Sequence, residues 1–175
     1  GWERPNWFAP EGMEQTDDWS FRRSKWFEPV GEECKNVTQN VGLLDLSGFA
    51  KCRISGSGAE SYLDGLLTNK LPNKNRVTLS YALNTRGGVH SEFTVLREGA
   101  DSFYLVSAGG FYRLDHDWLK KHMPSDGTVR YDDISNSIGV LVVAGPKARE
   151  LMNRVAPHDS FENKDFPWLS AREIT

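Results

Sequence analysis

Two runs of alternating polarity on either side of a glycine-rich turn constrain this chain more than any other feature. In Arg76 to Leu83 the odd positions Val77, Leu79, Tyr81 and Leu83 are apolar. Asn84-Thr85-Arg86-Gly87-Gly88 follows, and glycine accepts the positive φ angles that hairpin turns demand. Val89 to Leu96 then resumes the alternation. A period of two is strand geometry, so the pair predicts an antiparallel hairpin, with Phe103 to Ser107 as a third strand. On the return strand Val89, Ser91, Phe93 and Val95 share one face, while His90, Glu92, Thr94 and Leu96 share the other. The face carrying Val89, Phe93 and Val95 is expected to meet the core. Glu92 then projects from the opposite side, with His90 roughly 7 Å along the same face. A carboxylate is uncommon in mid-strand. The plain reading is a solvated outer face; if that face is covered, Glu92 becomes a site candidate.

Helical spacing organises the rest. Gly31 to Asn40 reads as a short helix, followed by a buried turn through Val41, Leu43, Leu44 and Leu46. Lys51 to Ser55 reads as a strand with Cys52 and Ile54 inward. Gly56-Ser57-Gly58 then opens a helix whose Ala59, Tyr62, Leu63, Leu66 and Leu67 form one apolar stripe. A second helix is expected to bury Phe111, Leu114, Trp118, Leu119 and His122. An apolar strand, Ile138 to Ala144, leads into a third helix opened by Gly145-Pro146, where proline suits the first turn. Its expected inner face is Ala148, Leu151, Met152 and Val155. CRISGSGAESYLDGLL and VLVVAGPKARELMNRV echo one another as strand, glycine turn and helix. The architecture expected is α+β, with antiparallel sheets backed by helices.

Composition removes several functions. The chain has 175 residues, room for one domain or slightly more, and 38% of them are hydrophobic. A net charge of -3 gives no footprint for nucleic acid. No apolar run reaches the roughly 20 residues of a membrane span, and the Trp-rich start has no apolar leader. No nucleic-acid or membrane partner is therefore expected. Cys34 and Cys52 lack zinc spacing and read as buried or half-buried free thiols. The four histidines show no HExxH pattern, so no metal is expected. GSGAES lacks the third glycine of a dinucleotide fingerprint and reads as a tight strand-to-helix turn.

Both ends look cut. The first methionine is Met13, and residues 1–30 hold Trp2, Trp7, Trp19 and Trp26 with Pro5, Pro10 and Pro29. Aromatics without a period cannot form their own core, so this stretch reads as an inter-domain arm. The organisation expected is this arm, a first α+β subdomain over 31–137, and the truncated start of a second βα subdomain over 138–175.

DLSGFAKCRISGSGAESYLDGLLTN, LNTRGGVHSEFTV, FYLVSAG and SIGVLVVAGPKARELM occur here in the order seen in one family. Together they resemble the aminomethyltransferase (glycine-cleavage T-protein) superfamily, in the form joined to dimethylglycine and sarcosine dehydrogenases. GWERPNWFAPEG and SKWFEPVGEE resemble the segment that joins the flavin domain to the folate domain in those proteins. The resemblance implies a T-protein-like folate-binding domain lacking its C-terminal barrel. It implies tetrahydrofolate as cofactor, a small N-methyl amine as the carbon source, and transfer of the carbon to give 5,10-methylenetetrahydrofolate. FAD would lie only in a domain absent from this chain, and that domain and the barrel would be its partners.

The family's catalytic carboxylate, usually aspartate, falls on Glu92, and pocket positions fall on Phe49, Leu79 and Val106. Glutamate adds a methylene, and Leu79 replaces a frequent tyrosine. Because the barrel's folate contacts would lie beyond Thr175, the isolated chain is expected to be inactive. Two alternatives stay open: a noncatalytic folate-binding or inter-domain module, and a folate-dependent demethylase on the same scaffold. The resemblance implies a location in the cytoplasm, or in the mitochondrial matrix if the source is eukaryotic.

Overall fold

The computed structural model describes residues 3–19 and 21–175; Gly1, Trp2 and Ser20 lie outside the described residues, and with them the expected contribution of Trp2 to the arm. In chain order the elements are α1 (Phe27–Gln39), β1 (Gly42–Asp45), β2 (Ala50–Ser55), α2 (Ala59–Leu66), β3 (Val77–Leu83), β4 (Val89–Arg97) and β5 (Ser102–Ser107). They continue with α3 (Tyr112–His122), β6 (Arg130–Asp133), β7 (Leu141–Ala144) and α4 (Ala148–Val155). Every pair of named strands is antiparallel. Among the described residues the fold is therefore α+β with antiparallel sheets and no closed barrel, and the α+β build with antiparallel sheets is the one the pattern predicts. The chain divides into two units, residues 1–45 with 141–161 and residues 46–140 with 162–175.

The larger unit is a five-stranded sheet in the order β3-β4-β5-β2-β6. One face is dry. Cys52, Ile54, Ala82, Phe93, Val95, Phe103 and Leu105 meet Ala59, Leu63 and Leu67 of the α2 segment and Leu119 of α3. On β4 the buried residues are Ser91, Phe93 and Val95, whereas Val89, expected inside, is exposed beside the turn. On β3 it is Ser80 and Ala82 that are buried, so Val77, Leu79, Tyr81 and Leu83 lie on the other face. The Ser80 hydroxyl is satisfied there by the Asn69 N–H at 3.0 Å.

A β-bulge overturns the expected place of His90. Ala82 pairs with Ser91 and Leu83 with Val89, leaving His90 as the extra residue. Bulges re-aim side chains, and this one stacks the imidazole on Trp118 of α3, ring centroids 3.9 Å apart. His90 therefore does not share the face of Glu92. Helix α3 is also turned from its expected stripe. It buries Asp115 and Leu119 while Phe111 and Leu114 are exposed, and His116 meets the Tyr131 hydroxyl at 2.9 Å.

The GSG turn is tight, as its composition predicts. Gly56 has φ +111°, and a Cβ there would overlap the Thr128 carbonyl oxygen, to which the Gly58 N–H donates at 3.0 Å. The C-terminal stretch returns to the same unit, contrary to its expected place in a second subdomain. The Val77 N–H donates to Leu169 O at 2.9 Å and the Ala171 N–H to Asn75 O at 2.9 Å, so this stretch covers one end of β3's free edge.

The smaller unit is built on β1 paired with β7, from Gly42 opposite Ala144 to Asp45 opposite Leu141. This pairing joins residues that the sequence reading assigned to different subdomains. Leu43 and Leu44 are exposed on this ribbon rather than buried in a turn. Asn40 ties the end of α1 to the turn before α4, its backbone carbonyl accepting from the Lys147 N–H at 2.9 Å. Helix α4 buries no residue fully, and Val155 is exposed. In the arm, Trp19 and Phe21 stand open to solvent. Cys34 on α1 is exposed, contrary to expectation, whereas burial on β2 pushes the Cys52 thiol up to about 12. Among the described residues no helix is long and apolar enough to cross a membrane.

The larger unit also carries a pH-dependent clamp. The Arg53 guanidinium donates to both oxygens of Glu98, at 2.7 and 2.9 Å, and the Ser102 hydroxyl adds a third bond at 2.9 Å. Hydrogen bonding to Arg53 holds the Glu98 carboxyl below its ordinary range. A lowered carboxylate stabilises the fold above its unfolded pKa of about 4.3 and loses that contribution as pH falls through its folded value. Because both side chains are partly solvated, E98Q is expected to cost about 1 kcal/mol at pH 7. The cost should shrink as pH falls through the lowered pKa of Glu98; urea unfolding of both proteins against pH checks this, and a constant difference would contradict it.

Candidate functional site

The face of the five-stranded sheet turned away from the core is built by register. Leu79 lies opposite Thr94, Thr94 opposite Val106, and Val106 opposite Lys51. One step along, Tyr81 lies opposite Glu92. Successive outward residues on a strand stand roughly 7 Å apart, so Glu92 borders the row that holds Leu79 and Val106. Three of the four residues singled out from sequence, Glu92, Leu79 and Val106, thus share one face. Phe49 sits in the turn just before β2, closed by its N–H to Leu46 O at 3.0 Å. It lies at the end of the sheet that carries Val106, since Ala50 pairs with Ser107.

Glu92 is exposed, and so is Leu79, at 44%, so the plain reading of a solvated outer face holds and the cover that would mark Glu92 from residues alone is not found; its candidacy rests on the resemblance. Around Glu92 the face carries Leu79, Tyr81, Thr94 and Val106, and farther along it come Arg53, bonded to Glu98, and Asp132 opposite Arg53. Tyr81 and Glu92 are direct cross-strand partners, and the neighbouring carboxylate holds the tyrosine proton above its usual pKa. Sequence reasoning missed Tyr81. Its signal was its place opposite Glu92, which appears only once the bulge is known. Lys51 was missed too; it is almost wholly buried at the far end of the row and donates to Ser47 O at 2.6 Å.

Two cavities lie elsewhere in this unit. One, of about 10 Å³, is inside, lined by Asp115, His116, Tyr131 and Ser135 among others. The other is an open cleft of about 550 Å³ beside α2, lined by Ser61, Tyr62, Leu66, His122, Asp126 and Thr128 among others. Neither is lined by Glu92, Leu79, Val106 or Phe49. Among the described residues no group of three or more His, Cys, Asp and Glu is placed to hold a metal ion.

Comparison with known proteins adds the following. The profile of the GCVT N-terminal domain matches residues 1–175. The mitochondrial dimethylglycine dehydrogenase of Mus musculus is 38% identical over 175 residues, covering 99% of this chain and 20% of the relative. The human enzyme of the same name is 37% identical over the same span. The 4-methylaminobutanoate oxidase (formaldehyde-forming) of Paenarthrobacter nicotinovorans is 31% identical over 160 residues, 91% of this chain and 19% of the relative. The chain thus spans about a fifth of the length of these curated relatives.

Among solved structures, the glycine cleavage system aminomethyltransferase T from Bartonella henselae superposes with a TM-score of 0.61 at 22% identity. That match covers 70% of this chain and 34% of that one. The heterotetrameric sarcosine oxidase from Corynebacterium sp. U-96 gives 0.56 at 19% identity, covering 84% of this chain and 72% of that one. At these identities the two structures establish the fold alone.

Proposed function

Because the chain belongs to the GCVT N-terminal domain family, we propose that it is part of a folate-dependent one-carbon transfer domain in a dimethylglycine or sarcosine dehydrogenase-like enzyme. The observation that carries the reading is the presentation of Glu92 beside Leu79 and Val106 on one sheet face. Apolar side chains next to a carboxylate are the lining that one side of a flat, amine-bearing pterin needs. The residues present fit tetrahydrofolate in that sense, with Leu79 and Val106 as wall, Phe49 at its end and Glu92 as the charged group. When bound, tetrahydrofolate supplies the two amine nitrogens that accept the carbon.

The reaction proposed starts from a cationic iminium, a methylene carbon doubly bonded to the positively charged nitrogen of the oxidised amine. That methylene moves onto the two folate nitrogens to give 5,10-methylenetetrahydrofolate, and both of its bonds to the amine nitrogen break. Two N–H protons are displaced; one leaves on the departing amine, which is neutral, and the other is released. Glu92 has two tasks here. Its negative charge stabilises the cationic carbon as it changes partners, and its oxygens relay the released proton. Oxidation of the amine by FAD is assigned to another part of the protein. The GSG turn packs closely against Thr128. The location proposed is the cytoplasm, or the mitochondrial matrix in a eukaryote.

The match to a relative named as formaldehyde-forming favours a second reading, in which this domain binds or bridges but no longer captures the carbon. Feeding the full-length protein a methyl-labelled N-methyl amine with and without tetrahydrofolate separates the two. The first reading expects formaldehyde to fall as labelled methylenetetrahydrofolate rises in equal amount. Formaldehyde release indifferent to tetrahydrofolate supports the second and contradicts the first.

A further inference from the structure

We propose that Tyr81 is a positioning residue for Glu92, its hydroxyl holding one carboxylate oxygen so that the remaining lone pairs face the substrate; this rests on the reading of Glu92 given above. The geometry is a direct cross-strand pair, Tyr81 opposite Glu92, and such pairs have Cβ atoms about 5 Å apart. An exposed glutamate on a strand is otherwise free to turn about three side-chain bonds, and that freedom must be lost before it can act. A tyrosine is a better anchor because it turns about two bonds and offers one O–H, which engages one acceptor site and leaves the others.

Tyr81 is itself held. Strand β3 is an edge strand, yet its free edge is occupied by the segment after α2. The Thr68 N–H donates to Tyr81 O at 2.9 Å, the Tyr81 N–H to Thr68 Oγ1 at 3.4 Å, and Asn69 Nδ2 to Leu79 O at 2.6 Å. The backbone beneath the phenol is therefore fixed on both sides, as a supporting residue requires. The upward shift of the Tyr81 hydroxyl agrees with a bond made to an anionic partner.

The experiment compares Y81F, E92Q and the double variant in the full-length protein, measuring kcat and KM for carbon transfer to tetrahydrofolate. Y81F is expected to lower kcat about tenfold with KM within about twofold, since supporting bonds to a reacting group typically carry effects of that size. In the E92Q background Y81F should cost nothing further. An unchanged kcat in Y81F, or the same loss in both backgrounds, overturns the proposal. If E92Q alone leaves transfer intact, the reading of Glu92 falls and this one with it. If E92Q loses transfer and Y81F does not, only this one falls. A direct check is carbon-13 NMR of the tyrosine rings: E92Q should lower the titration midpoint of Tyr81, and an unmoved midpoint contradicts the bond.

Discussion

Glutamine in place of Glu92 is expected to cut carbon transfer to tetrahydrofolate by about 10²-fold, with formaldehyde released in its place. The substitution keeps the shape of the side chain and removes the charge. An amide neither steadies a developing cation as a carboxylate does nor passes a proton on. Because Glu92 is exposed on the sheet's outer face, stability should change by less than about 0.5 kcal/mol. Loss of transfer with an intact fold therefore isolates chemistry from folding. The aspartate variant E92D sharpens the test. It retains the charge on a stem one methylene shorter, so it should keep more transfer than E92Q but less than glutamate, its reach toward Tyr81 being reduced. Full transfer in E92Q would remove this carboxylate from the mechanism.

The second large effect is structural. Alanine at Gly56 is expected to destabilise the larger unit by about 3 kcal/mol or more. The backbone there has φ +111°, a conformation that L side chains rarely adopt, and the new Cβ would overlap the carbonyl oxygen of Thr128. The clash is with backbone, and the neighbouring Val129 is in the core, so the contact has little room to relax. Gly127 is the control. It also has a positive φ, +78°, but a Cβ there meets nothing within 4 Å. Alanine at Gly127 should cost about 1 kcal/mol, the conformational term alone. Denaturant unfolding of the two variants measures the difference; equal losses would show that the close approach of Thr128 contributes nothing.

These glycines show how far local chemistry carries in this chain. The hairpin, the GSG turn and the stripe of α2 were legible because each is specified within a dozen residues by period and turn type. Strand β6 was not, because Arg130-Tyr131-Asp132-Asp133 has no apolar alternation. It is the polar edge of the sheet, held by pairing with β2 and by Arg130 on Asp132 at 2.9 Å. The pairing of β1 with β7 escaped for a different reason: no local signal tells a strand which distant partner it will meet. The outward turn of the β3 leucines escaped too. Alternation shows that Leu79 and Leu83 share a face, but not whether that face meets the helices.

The site follows the same division. Glu92 stood out from residues alone as a carboxylate in mid-strand, and its face was read as the one away from the core. His90 was placed beside it because an unbroken strand would put it there. One extra residue in the ladder sent the imidazole to Trp118 instead. Tyr81 was hidden for a related reason, since cross-strand partners depend on the register that the bulge sets. Phe49, Leu79 and Val106 came from resemblance, and their grouping depends on the strand order that brings β3, β4 and β5 side by side.

A crystal structure of the full-length protein with 5-formyltetrahydrofolate, a chemically stable reduced pterin, tests the central claim most directly. The account expects pterin density against Leu79 and Val106 with an amine within hydrogen-bond range of Glu92. Density on the helical side instead, in the cleft between Tyr62 and His122, with the Glu92 face bare, would contradict it.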